Sequence, residues 1–301
     1  MSFTQKLINV VITAGPKTAD YNPPTFGPNQ SNTLTLTGHR VRCDITLAGM
    51  LSMSPSNIEI FGMNESDMNA ISSLGQPYYG GNHNLVTVLA GDAENGMAIA
   101  FEGVMTSALI DFSAPPGASF NIQATLGQDW AMYSAPAQNY PGAVSIGTIC
   151  QQIAAQMGLV LENNGCTQVL RDQYLPGTLL DQLQAATQAA GVLYFIERGV
   201  LAIWPKAGYR TLQTDKQIIS PDSGLVGYPS YTNFGVNFRC LYNPNLRYGT
   251  LVEIQSSQKP ACGDWKIVSM SHTLNSLDPD AAWFTDIQTC KPDMLVMFSG
   301  W

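Results

Sequence analysis

The stretch Val144–Pro205 narrows the choice of folds more than any other part of the chain, because two helix signatures and a tight hairpin follow one another within it. Ile146, Ile149, Cys150, Ile153 and Met157 recur at helical spacing and so share one face. Ser145 stands where it can cap that helix, and Gly158 where it can end it in the left-handed conformation. Gln151, Gln152 and Gln156 take the opposite face. A second helix opens at Thr178, with Asp181 placed for a capping box. Leu179, Leu183, Ala186 and Ala190 line its apolar face, and Gly191 closes it. Val192–Ile196 and Val200–Trp204 are apolar runs around Glu197-Arg198-Gly199, a short turn in which the glycine can take positive φ; Pro205 ends the second run. The expected product is two helices packed on a two-stranded hairpin.

The flanking segments read as strands. In Arg40–Ala48, Val41, Cys43, Ile45 and Leu47 alternate with polar residues, the period of a strand with one buried face. Leu34 and Leu36, Ile58 and Ile60, Val86 and Val88, and Phe120, Ile122 and Ala124 extend the pattern. Met68, Ile71 and Leu74 place a short helix inside Asn64–Leu74, and Asn95-Gly96 is a strong hairpin turn leading into Met97–Phe101. Residues 1–125 are therefore expected to form a β-barrel or sandwich. Residues 126–143 read as a loop leading into the helical unit, so the small α/β domain spans 126–205. Residues 206–301 return to strands at Val236–Cys240, Leu251–Ile254, Trp265–Val268 and Trp283–Ile287. The apolar tail with Met294, Leu295, Phe298 and Trp301 either docks on a partner or finishes the local core.

Charged residues make up 12% of the 301-residue chain, about half the roughly 25% usual in soluble proteins. Surface polarity must then come from Asn, Gln, Ser and Thr, which suits a subunit that buries much of itself against neighbours; an amide-rich monomer is the alternative. The net charge of -8 and the absence of a basic cluster argue against specific nucleic-acid binding. No run of about 18 apolar residues occurs, so membrane insertion is not expected. The first residues lack the pattern of a signal peptide. Cys43, Cys150, Cys166, Cys240, Cys262 and Cys290 show no CxxC spacing and read as reduced, mostly buried thiols rather than a disulfide framework.

Little in the chain reads as catalytic. His39, His83 and His272 are too scattered for a metal site or a triad, and no cofactor is expected. Glu59, Asp92, Glu102 and Asp111 lie in or beside strands, with nothing to bring a carboxylate pair together. No nucleophile elbow, zincin helix or phosphate loop is present. Tyr78, Tyr79, Tyr228, Tyr231 and Phe234 fall in the apparent loop tips Pro77–Asn82 and Tyr228–Phe234. With Phe298 and Trp301 of the tail they are the candidate interface residues; sugar stacking is the alternative for the tyrosines.

Several phrases then carry a family likeness. Asn57-Ile58-Glu59-Ile60-Phe61-Gly62 is followed by Met68-Asn69 and Leu74-Gly75. Val86-Thr87-Val88-Leu89-Ala90-Gly91-Asp92 precedes Phe101-Glu102-Gly103. Leu175-Pro176-Gly177-Thr178, Ala202-Ile203-Trp204-Pro205, Ile218-Ile219-Ser220-Pro221 and Gly224-Leu225-Val226-Gly227-Tyr228-Pro229 come next. In this order they resemble the baseplate hub proteins of contractile-tailed bacteriophages, over about residues 31–290. The resemblance implies a homotrimer at the tail tip. Each subunit would carry two tail-tube-like β-barrels, at 1–125 and 206–301, flanking the α/β unit. Six barrels in a pseudo-six-fold ring would join the hexameric tail tube protein to a trimeric central spike protein. Other baseplate proteins and the tape measure protein are further expected partners, and an acidic lumen would ease DNA exit. Neither a lysozyme-like domain nor a spike extension is seen, so a separate spike is expected. The competing readings are the hub of a phage-derived injection system and an envelope-binding or hydrolytic tail protein. The expected setting is the virion, after synthesis in the host cytoplasm, and the expected role is not enzymatic.

Overall fold

The computed structural model describes residues 4–15, 23–27, 29–49, 55–72, 84–113, 117–211, 216–278 and 282–294. The architecture is mainly β, with antiparallel sheets and a small α/β segment. The chain divides into two compact units, Met1–Thr46 with Ser54–Leu126 and His272–Phe284, and Leu47–Met53 with Gly127–Ser271 and Thr285–Trp301.

The first unit contains β1 (Lys6–Thr13), β2 (Thr33–Leu36), β3 (Arg40–Ala48), β4 (Pro55–Phe61), α1 (Glu65–Ile71), β5 (Leu85–Asp92), β6 (Gly96–Asp111) and β7 (Ser119–Thr125). Antiparallel pairing joins β2 to β1, β1 to β5, β5 to β6, β6 to β7, β7 to β4 and β4 to β3. The alternation in β3 buries Val41, Cys43 and Ile45 as its period requires. Asn64 caps α1, its side chain accepting from Ser66 N–H. The Asn95-Gly96 turn forms as expected, with Gly96 at φ 80°. However, β6 runs well past Phe101. Its alternation is interrupted by a register shift between Met105 and Ser107, which hides the strand's second half from a period-two reading.

Asp92 fixes the β5–β6 turn. Its carboxylate accepts from the N–H groups of Glu94 and Asn95 at 3.1 and 2.7 Å and from Lys6 Nζ at 2.7 Å. The Lys6 hydrogen bond, then the Asn95 N–H, hold its pKa well below the usual carboxylate range.

The second unit contains α2 (Gln128–Met132), β8 (Gln138–Ser145), α3 (Ile146–Met157), β9 (Val160–Asn163), β10 (Val169–Leu175), α4 (Leu179–Ala190), β11 (Val192–Glu197) and β12 (Val200–Pro205). It continues with β13 (Gln217–Ile219), β14 (Leu225–Tyr231), β15 (Val236–Leu241) and β16 (Leu251–Ile254). Finally β17 (Gly263–Ser276) and β18 (Trp283–Cys290), like the end of β3, contribute residues to both units. Both long helices form with the caps read from the sequence, Ser145 and Gly158 for α3, the Thr178–Asp181 box and Gly191 for α4. The β11–β12 turn places Arg198 and Gly199 at φ 49° and 75°, the conformation that matches the twist of a two-residue hairpin. The loop expected at 126–143 instead contains α2 and β8. The antiparallel β8–β10 pairing carries a register shift between Arg171 and Gln173, and Asp172 sits there at φ 49°. β9 adds to the hairpin in parallel, beside β12.

A buried ion cluster sets the core of this unit. Arg210 donates to Glu162 through Nε and Nη2, both at 3.0 Å, and through Nη1 to Glu197 and to the Tyr248 carbonyl at 3.1 Å. All three side chains are almost fully enclosed. Burial pushes Glu162 up, but the bonds from Arg210 and Asn164 outweigh it and hold its pKa below the usual range. Tyr248 stacks on Phe195 with ring centroids 4.3 Å apart. Gly249, at φ 82°, lies so close to Trp204 that a Cβ would come within 2.8 Å of its ring. Lys266, also buried, donates to the carbonyls of Gly208, Pro292 and Met294, which ties the start of the C-terminal tail to this core.

Two outcomes are expected from these contacts. Arg210→Met leaves Glu162 buried without its cation and Glu197 with only Arg247, 3.7 Å away, and costs about 3–5 kcal/mol in denaturant unfolding; adding Glu162→Gln and Glu197→Gln recovers part of the loss. An Arg210→Met chain as stable as the parent would show that the cluster is not a constraint. Asp92 has a depressed folded pKa, so its contribution is full above the unfolded value of about 3.9 and is lost as pH falls through the lower folded value. Asp92→Asn should therefore flatten the acid limb of a stability–pH curve below about pH 4; an unchanged slope would refute this.

Candidate functional site

The β14–β15 hairpin brings together the described members of the aromatic set. Its turn is built by Thr232, which accepts at Oγ1 from the N–H groups of Phe234 and Gly235 at 3.4 and 3.1 Å and donates its own N–H to the Gly235 carbonyl at 2.9 Å. Gly235 passes against β18 so closely that a Cβ would lie 2.0 Å from the Thr289 carbonyl oxygen. The Thr289 hydroxyl donates to the Val236 carbonyl at 2.6 Å and fastens the hairpin base to β18. The turn thus holds Phe234 outward, 67% exposed.

Along β14, the register moves from Val226↔Arg239 to Ser230↔Asn237. Two extra residues are accommodated in that interval, with Gly227 at φ 71°, and the ladder opens at Gly227–Pro229. Tyr228 is 73% exposed and Tyr231 54%. Beside them is a groove of about 300 Å³ lined by Val226, Tyr228, Ser230, Arg239, Asp286 and Gln288. Arg239 and Asp286 form a two-pronged pair across its floor, Nε–Oδ1 2.7 Å and Nη2–Oδ2 2.8 Å. Both are about half exposed, so the pair neutralises charge more than it stabilises; such pairs contribute about 1 kcal/mol or less.

Tyr228 and Tyr231 therefore belong to an edge strand and not to a loop tip. Gly227 and Pro229 obscured that strand, because both residues are poor strand formers. Tyr78, Tyr79, Phe298 and Trp301 lie outside the described residues, as does His83. The partners that make the groove, Arg239 and Asp286, had no signal in the sequence because 47 residues separate them.

The other chemistry-bearing groups are engaged in structure. Glu162 and Glu197 are bound by Arg210. All six cysteines are unpaired. Burial pushes the Cys150 and Cys240 thiols up to about 12 and the Cys166 thiol to about 11, far from a reactive thiolate. His39 is turned to the Phe61 carbonyl, with Nδ1 3.1 Å from it. The arrangement offers an aromatic contact surface with a neutralised polar floor.

The family model of baseplate hub gp41 matches residues 25–286. No curated protein sequence matches. Among solved structures, the chain resembles the 43 kDa tail protein of prophage MuSo2 from Shewanella oneidensis, with TM-score 0.58 and 11% identity over 96% of this chain and 99% of that one. It also resembles a tail protein from Neisseria meningitidis, with TM-score 0.60 and 10% identity over 94% and 96% of the two chains. The Francisella PdpA-VgrG complex, half-lidded, contains a chain with TM-score 0.52 and 10% identity over 99% of this chain and 60% of that one. These likenesses are of fold.

Because Tyr228 and Phe234 are exposed, Tyr228→Ala with Phe234→Ala should change the unfolding free energy of the isolated subunit by no more than about 0.5 kcal/mol. A loss several times larger in denaturant titration would mean that these rings serve the subunit's own core.

Proposed function

The chain belongs to the baseplate hub gp41 family, and from that membership we propose that it is a homotrimeric hub joining the hexameric tail tube to the trimeric central spike. A structural role in a phage baseplate comes with the family. The finer reading is that three copies present a pseudo-six-fold ring, each copy supplying ring-building barrels from residues 1–125 and 206–301 on either side of the 126–205 segment. Tube protein, spike protein and other baseplate proteins, with the tape measure protein, would meet this ring in the virion after synthesis in the host cytoplasm.

Membership over most of the chain carries this reading, and three features support it. The surface has few charges to desolvate on assembly. An edge strand and its turn present three exposed aromatic residues, Tyr228 and Tyr231 on β14 and Phe234 in the turn, beside a neutralised ion pair. The buried carboxylates Glu162 and Glu197 are both paired with Arg210, as a structural ion cluster requires. The hub is thus proposed to work by contact, without catalysis.

The native mass of the purified chain, alone and mixed with its candidate spike protein, tests the proposal. Three 32.5 kDa chains per particle are expected, with or without the spike. A stable monomer under both conditions would overturn it.

A further inference from the structure

The groove beside the β14–β15 hairpin lies wholly within the second unit. Strand alternation builds it. On β15, Asn237 and Arg239 flank the buried Phe238; on β18, Asp286 and Gln288 flank the buried Ile287. These polar residues line the groove, and Tyr228 and Ser230 of β14 border it. We infer that the groove binds a neutral saccharide, with Tyr228 as the stacking plate and Asn237, Asp286 and Gln288 as hydrogen-bonding partners. The inference goes beyond the hub reading and does not depend on the trimer.

A sugar ring has two kinds of surface, C–H groups on its faces and hydroxyls round its rim. The faces need a flat apolar plate that costs little to order. Tyr228 is such a plate, 73% exposed and with few torsions to fix. Its backbone is set between Gly227, at φ 71°, and the buried Pro229, whose ring fixes its own φ. The rim hydroxyls donate and accept at once, so they need both kinds of partner. Asn237 and Gln288 bring N–H donors and a carbonyl acceptor each, and neither amide has a hydrogen bond among the described residues. The Asp286 carboxylate receives one bond from Arg239 on each oxygen, which leaves acceptor capacity on both and holds its plane still.

Charge selects the ligand class. The Arg239–Asp286 pair makes the floor neutral, and the chain as a whole carries -8, so an anionic ligand is repelled on approach. A cation finds the one carboxylate of the groove already taken by Arg239. A peptide strand finds no continuous edge to extend, because Pro229 has no N–H and the ladder opens at Gly227–Pro229. A packed protein anchor needs an apolar pocket with charge kept out of its centre, whereas this floor is an ion pair flanked by amides. A neutral polyhydroxyl ligand meets none of these obstacles. The volume of about 300 Å³ stands at the lower end of small-molecule sites, which suits a short stretch of sugar.

Saturation-transfer NMR on the full chain tests the assignment, with chitotriose, maltotriose and mannotriose as neutral probes and trigalacturonate as the anionic counterpart. Native mass is measured on the same samples. At least one neutral trisaccharide should bind with a Kd of about 1 mM or lower. Tyr228→Ala and Gln288→Ala should each weaken that binding about tenfold. Tyr174→Ala, which removes another exposed tyrosine of the same unit, should leave it unchanged. No binding of any neutral probe up to about 10 mM would overturn the inference. So would binding that survives both Tyr228→Ala and Gln288→Ala, or trigalacturonate bound as tightly as the neutral probes. A trimer that binds no sugar would overturn this inference alone; a monomer that binds sugar through Tyr228 would overturn the hub reading alone.

Discussion

The enclosed Arg210 guanidinium is the constraint on which the second unit depends. A buried cation is tolerable only when each donor finds an acceptor in good geometry. Here the acceptors come from β9, from β11 and from the Tyr248 carbonyl, while Arg210 itself stands beyond β12. Four separate stretches must therefore be in place at once. Phe195, Tyr248 and Trp204 close around the cluster, and Gly249 gives the chain the room to pass Trp204. This is why the helical segment and the strands that follow it share one compact unit. The cluster contributes less to net stability than to uniqueness, since partly assembled alternatives leave a charge unpaired.

What was legible in the sequence was local. The caps of α3 and α4, the β11–β12 turn and the Asn95-Gly96 turn are written in residues a few positions apart, and all formed as read. What escaped depends on distant partners. β8 and β10 support each other through a shifted register, and neither alternates cleanly by itself. β6 hides its second half behind a shift at Met105, whereas β1 is legible in the alternation of Ile8, Val10 and Ile12. The candidate surface was half legible. Its aromatic residues stood out by type, yet β14 read as a loop because Gly227 and Pro229 oppose strand formation. Pairing to β15 overrides that preference.

Charge is spent inside the subunit. Lys6 pairs with Asp92, Arg42 with Asp278, Lys216 with Glu253 and Asp264, and Arg239 with Asp286. Arg40 and Arg42 also lie over the Phe61 ring, 4.5 and 5.5 Å from its centroid. With so few charged residues, pairing within each unit leaves the outer strands of the large sheet to uncharged side chains.

That division has a consequence for any contact such a subunit makes. Contacts between exposed charges weaken as ionic strength rises, because the screening length falls from about 10 Å at 0.1 M to about 3 Å at 1 M. Contacts made by tyrosine, phenylalanine, asparagine and threonine have no such dependence, and high salt strengthens the burial of their apolar parts where the anions are excluded from the surface. A contact made by uncharged side chains would hold across salt conditions that would loosen one made by ion pairs. The sparse charge of this chain, which argues against nucleic acid as a partner, on this reasoning also suits contacts that are insensitive to salt.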